Sequence, residues 1–113
     1  MTTILKGENK HFVRRLLQPD GSPLLRTALG ALQVELWQGT ALRTTYVYGT
    51  APELVANPGD LTGNEVRLEI TTTLSNSLPA GKVTEIWQFT MTDSAYVAGA
   101  RVDRLVAADI IIR

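Results

Sequence analysis

The chain has 113 residues, 44% of them apolar, with eleven basic side chains balanced by eleven acidic ones and no cysteine. A chain of that length makes one domain, residues 1–113, able to bury roughly two-thirds of its unfolded surface, and its apolar share excludes a disordered polymer. Zero net charge argues against phosphate-driven nucleic-acid binding and against an electrostatic membrane anchor, while the lack of cysteine excludes disulfides, thiolate metal sites and a cysteine nucleophile.

The opening "MTTILKGENK" lacks the apolar stretch of a signal peptide, so no cleaved leader is expected. No apolar run approaches the roughly eighteen residues of a membrane helix. "HFVRRLLQ" is the first candidate strand; it alternates poorly because Arg14 and Arg15 are adjacent, but turn chemistry flanks it on both sides. "QPDGSP" is a tight turn by composition. "TALGAL" is too short for a helix and carries Gly30. In "ALQVELWQG", Leu32, Val34 and Leu36 alternate with Gln33, Glu35 and Trp37, the mark of a strand with one face in a core and one in water. "WQGT" then predicts a hairpin into "LRTTYVYG", whose β-branched and aromatic residues suit a pleated surface.

"APELVAN" reads as one helical turn after Pro52, and "NPGDLTGN" as a long loop. "NEVRLEI" alternates as cleanly as the earlier strand, with Val66, Leu68 and Ile70 on one side. "TTTLSNSLP" predicts a single helical turn with Leu74 and Leu78 pointing inward. "KVTEIWQFTMT" is a strand in which Trp87 shares a face with Val83, Phe89 and Met91 and is expected in the core. "TDSAYVAGARVDRL" reads as a hairpin connection or long loop. The last strand, "LVAADIIIR", is apolar to its end: Val106, Ala108, Ile110 and Ile112 are expected on one face, Leu105, Ala107, Asp109 and Ile111 on the other. About seven short strands joined by turns predict an all-β sandwich or small barrel.

Catalytic equipment is scarce. One imidazole, His11, and no thiol make no metal constellation. Asp60, Glu65 and Glu69 are carboxylates without a calcium-loop spacing, and Glu65 and Glu69 beside Arg67 read as a solvated strand face rather than a glycosidase pair. The glycines match neither nucleotide-binding fingerprint, and no serine lies in a nucleophile elbow. No catalytic residue, metal or cofactor is expected. The aromatics are more informative. Trp37 lies in phase with the polar side of its strand, which suits equally a ring lying over the sheet edge and a contact residue of an interface. Tyr46 and Tyr48 share a face, either as cross-strand packing or as a stacking platform for sugars, with packing favoured.

The order of these features resembles the small immunoglobulin-like domains of tailed-phage structural proteins, such as the N-terminal domains of baseplate upper proteins. "ILKGENKHFVRRLLQPDGSP" looks like the family's opening turn, strand and Asp-Gly turn. "ALGALQVELWQG" is similar to its step into an alternating strand, and "EVRLEITTTLSNSLPAGKVTEIWQFTMTD" to its strand, threonine-rich turn and aromatic strand. "LVAADIIIR" stands where the family's last strand stands. The likeness covers almost the whole chain; the adjacent arginines and the elaborate 50–64 segment depart from it.

The resemblance implies an immunoglobulin-like β-sandwich of about seven antiparallel strands, and a non-catalytic module of a phage or prophage virion, assembled in the host cytoplasm at tail, baseplate or head-tail region. Its partners would be other virion subunits, with Trp37 and Ile111 near the contacts. Near-zero net charge leaves self-association open. The alternative is an adhesin-type sandwich binding protein or carbohydrate through Trp37, Tyr46 or Tyr48.

Overall fold

The structure, a computed structural model, describes residues 2–113, and of residues 107–109 only the backbone. Among the described residues there are eight strands: β1 (Thr2–Ile4), β2 (Lys10–Arg15), β3 (Ala31–Gln38), β4 (Ala41–Val47), β5 (Leu54–Ala56), β6 (Glu65–Ile70), β7 (Gly81–Thr92) and β8 (Ala100–Ile112). They form a five-stranded sheet, ordered β1-β8-β7-β3-β4, facing a three-stranded sheet, ordered β2-β6-β5. The protein is therefore an all-β sandwich. Every pairing is antiparallel except that of β1 with β8, which is parallel. The sandwich has eight strands rather than the expected seven or so, and one of its pairings is parallel.

Alternation decides the core. Leu32, Val34 and Leu36 of β3, Val66, Leu68 and Ile70 of β6, and Val83, Trp87 and Phe89 of β7 all point between the sheets and are buried. The Trp87 and Phe89 rings stack with centroids 6.4 Å apart. The β3–β4 hairpin turns through Gly39, whose φ of +59° lies in the left-handed region that glycine enters without steric cost. The predicted helical turn is α1 (Thr72–Ser77). Thr71 caps it by accepting from Leu74 N at 3.1 Å, Leu78 is buried and Leu74 packs against the core. Ser75 Oγ donates to Glu8 O at 2.6 Å and accepts from Gly7 N at 3.1 Å, tying the β1–β2 loop to the helix.

Two segments depart from the expectations. "APELVAN" is not a helical turn: Leu54–Ala56 form β5, because β6 offers a ladder partner and Leu54 a buried side chain. "TTI" near the start is a strand, β1, which lies along Ile110–Ile112. "TDSAYVAGARVDRL" is the expected hairpin connection, with β8 beginning at Ala100 and pairing with β7 from there. The end of the last strand, at Ile110–Ile112, is thus held on both sides, by β7 and by β1.

The faces of β8 also differ from the alternating pattern. The register with β7 shifts between Thr84 and Ile86, so that Glu85 spans two residues of β8. Such a bulge reverses the side-chain phase beyond it. Ile110 and Ile112 are buried as expected. Val106, expected beside them, instead pairs with Ile86 on the outer face and is 65% exposed. Leu105, Asp103 and Arg101 take the inner phase, opposite Trp87, Phe89 and Met91. The faces expected for Ala107, Ala108 and Asp109 fall outside the described side chains.

One charged pair crosses the core. Glu85 occupies the inward phase of β7 between Val83 and Trp87 and is completely buried. Arg14, inward on β2 of the other sheet, forks onto it: Nη2 reaches Oε2 at 2.8 Å and Nε reaches Oε1 at 3.4 Å. Trp87 Nε1 donates to Oε1 at 3.1 Å. The guanidinium also lies over the Phe12 ring, 5.1 Å from its centroid. Arg14 explains why β2 alternates poorly to the eye: its inward positions are Phe12 and Arg14, while Val13 is outward and exposed.

Two stability predictions follow from this packing. Leu68→Ala, at a fully buried site, should cost about 2–5 kcal/mol in a urea titration. Arg14→Met strands a buried carboxylate and should cost about 3–5 kcal/mol, whereas Arg14→Met with Glu85→Gln should recover a large part, because the amide is neutral and still accepts from Trp87. Equal losses in the single and double variants would show that the ion pair does not hold the sheets together.

Candidate functional site: the outer face of the five-stranded sheet

The outward positions of β3, β4, β7 and β8 form one surface. In ladder rows it carries Glu35 beside Ile86 and Val106, Gln33 beside Gln88 and Arg104, and Trp37 beside Thr84 and Leu42. Leu42, Val47, Val102 and Val106 on this face are 44–65% exposed. A polar string runs through the apolar residues. Arg104 Nη1 donates to Gln88 Oε1 at 2.5 Å and Nη2 to Glu35 Oε1 at 2.7 Å, and Trp37 Nε1 donates to the same carboxylate oxygen at 3.3 Å. Three strands thereby hold the tryptophan and the arginine in fixed orientations. Tryptophan and arginine on a rigid face, bordered by aliphatic side chains, are the residue types that carry binding energy in protein interfaces.

Trp37 and Ile111, singled out from sequence, both fall on this face and are partly buried. Ile111 sits opposite Lys82 and Thr3, one row beyond Trp37 and two strands across, roughly 12 Å away by strand and residue spacing. The other two candidates do not join them. Tyr46 pairs with Val34 on the inner face and is 5% exposed; its hydroxyl donates to Glu69 O at 3.4 Å. Burial, then the negative charges of Glu53, Glu85 and Glu69, push its pKa above the usual tyrosine value. A ring so enclosed offers no stacking platform, so Tyr46 is corrected to a core residue. Tyr48 packs partly buried against the core and lines an open pocket with Ala51, Pro52 and Leu54 at one end of the sandwich. Arg104 was missed from sequence because only the β8 bulge turns it outward toward Glu35.

The loop carboxylates are engaged in structure. Asp60 accepts from Glu65 N at 2.9 Å, Thr62 N at 3.0 Å and Thr62 Oγ1 at 2.8 Å, and pairs with Arg26 Nη1 at 2.5 Å. Arg26 Nη1 also donates to Glu65 O at 2.6 Å. Glu65 accepts from Arg15 Nε at 3.2 Å and Asn57 Nδ2 at 3.0 Å. Among the described residues no group of three or more His, Cys, Asp or Glu side chains is placed to hold a metal ion.

Burial tends to raise the Asp60 pKa, but the Glu65 amide, the Arg26 guanidinium and the two Thr62 donors outweigh it and hold the carboxyl well below the usual aspartate value. A depressed folded-state pKa contributes stability that is complete above the unfolded value of about 3.9 and is lost as pH falls through the folded value. Asp60→Asn should therefore lower the melting temperature at pH 7, and its gap from the parent should close on acidification below about pH 4. A gap independent of pH in thermal melts would show that the loop is held by something other than the Asp60 charge.

No family model matches this chain and no curated protein matches it, so its functional reading rests on its own residues and geometry.

Proposed function

We propose that the chain is a non-catalytic structural module that makes protein–protein contacts in a phage or prophage particle, through the outer face of its five-stranded sheet. The observation that carries this reading is the surface itself: Trp37 and Arg104 braced by Glu35 and Gln88, with exposed Leu42, Val47, Val102 and Val106 around them. Solvated sheet faces usually alternate toward polar side chains, so exposed aliphatic side chains on either side of a fixed tryptophan and arginine support a protein-contact surface. The two-sheet sandwich agrees with the all-β architecture that the sequence resemblance implies. The glycan-binding alternative loses support with the burial of Tyr46.

The test uses particles from a host that expresses the gene. Trp37→Lys and Ile111→Lys place charges on the outer face at partly buried positions, where substitutions cost less than in the core. Each variant should fold, by circular dichroism and urea titration, yet be depleted from particles purified on a density gradient. Normal incorporation of both folded variants would place the contacts on another surface.

A further inference from the structure

We infer that two copies of this chain associate by pairing their β8 strands edge to edge across a twofold axis at Val102. The pairing joins two five-stranded sheets into one continuous sheet. This does not rest on the virion reading; it follows from the ladder and from the charges along one edge.

A sheet edge is a row of unpaired backbone donors and acceptors ready to receive another strand. β1 covers β8 only at Ile110–Ile112. The remaining described stretch, Ala100–Val106, is paired to β7 on one side and to no strand on the other. The other edges are poorer templates. β1 and β5 are three residues long, and the β4 edge is interrupted by a register shift opposite Leu36 and Trp37. The β2 edge carries Lys10, Arg14 and Arg15, so a second copy would meet like charge.

The sequence of the free edge is Ala100-Arg101-Val102-Asp103-Arg104. A twofold axis perpendicular to the sheet keeps inner faces together, so opposing residues must share a face. Only registers with a residue on the axis satisfy this. Arg101, Asp103 or Arg104 on the axis would each meet its own charge. Val102 on the axis places Arg101 opposite the second copy's Asp103, and Asp103 opposite its Arg101. Opposite charges at directly facing positions stabilise an antiparallel pair, and like charges disfavour it.

The isolated chain leaves this chemistry incomplete. Arg101 Nε is buried and lies 3.1 Å from Asp103 Oδ2 of its own strand, yet it makes no hydrogen bond among the described residues. The guanidinium is ion-paired within its own chain, to Asp103 and more distantly to Asp93 at 3.9 Å, but its Nε is misaligned with the Asp103 carboxylate, and a carboxylate approaching from across the edge would give that buried donor an aligned acceptor. Beside this stretch Leu17, Leu105 and Val106 are exposed, along the groove between β2 and β8, and a second strand would shelter part of them. Five facing residues bury less than the roughly 1,200 Å² of a stable interface, so the dimer is weak and concentration-dependent.

The absence of native cysteine gives a direct test. Residues facing each other across antiparallel strands have Cα atoms about 4.5–5.5 Å apart, within disulfide reach. Val102→Cys should form covalent dimers under mild oxidation at high protein concentration, while Val13→Cys on the β2 edge should not. Sedimentation of the parent should show a monomer–dimer equilibrium, which Asp103→Arg weakens about tenfold or more and Arg101→Asp with Asp103→Arg restores. Cross-linking of Val102→Cys no faster than that of Val13→Cys would overturn the proposal. So would a swapped double variant that stays as monomeric as Asp103→Arg.

Discussion

The sandwich is organised around a charge that enters its core. Glu85 is fully buried in the middle of β7, and a charged carboxylate there is compensated by a cation and further donors. Arg14 reaches it from the opposite sheet and Trp87 from the same strand. The pair fixes β2 over β7 in a way that apolar contacts alone would not, since leucine and valine tolerate sliding and a forked guanidinium does not. It also bears on the register of β8, because the bulge in that strand falls opposite Glu85.

That bulge has consequences along the rest of the strand. It reverses the phase of residues 100–106, which brings Arg104 to the outer face, where it bridges Gln88 and Glu35, and sends Arg101, Asp103 and Leu105 inward. The outer face thereby acquires its arginine, and the strand edge acquires a self-complementary order of charges. Both surfaces lie on the same five-stranded sheet. An edge-paired dimer would join two outer faces side by side, doubling the area offered to a third partner.

The legibility of the fold varies with the strength of local signals. β3 and β6 could be read with their buried sides because one face is apolar and the other polar throughout. The helical turn at Thr72–Ser77 was legible from the four-residue spacing of Leu74 and Leu78. β1 and β5 were not, since three residues carry no period and become strands only because a neighbour offers a ladder. Trp37 was legible as out of phase with its buried neighbours. Tyr46 and Tyr48, equally in phase with each other, gave no sign of which sheet face they occupied until Val34 was placed opposite Tyr46.

The sequence by itself determined an all-β domain without thiol chemistry, a core of Val34, Leu36, Val66, Leu68 and Trp87, and an outward Trp37. These depend on composition and on the period of two, which are properties of neighbouring residues. The tertiary structure decided the Arg14–Glu85 pairing, the parallel seat of β1 on β8, the phase of β8 and the burial of Tyr46. Each depends on contacts between segments far apart in the chain, and a bulge or a buried ion pair has no local pattern to announce it: a single extra residue exchanges the two faces of a strand, and only the strand beside it shows where that residue sits.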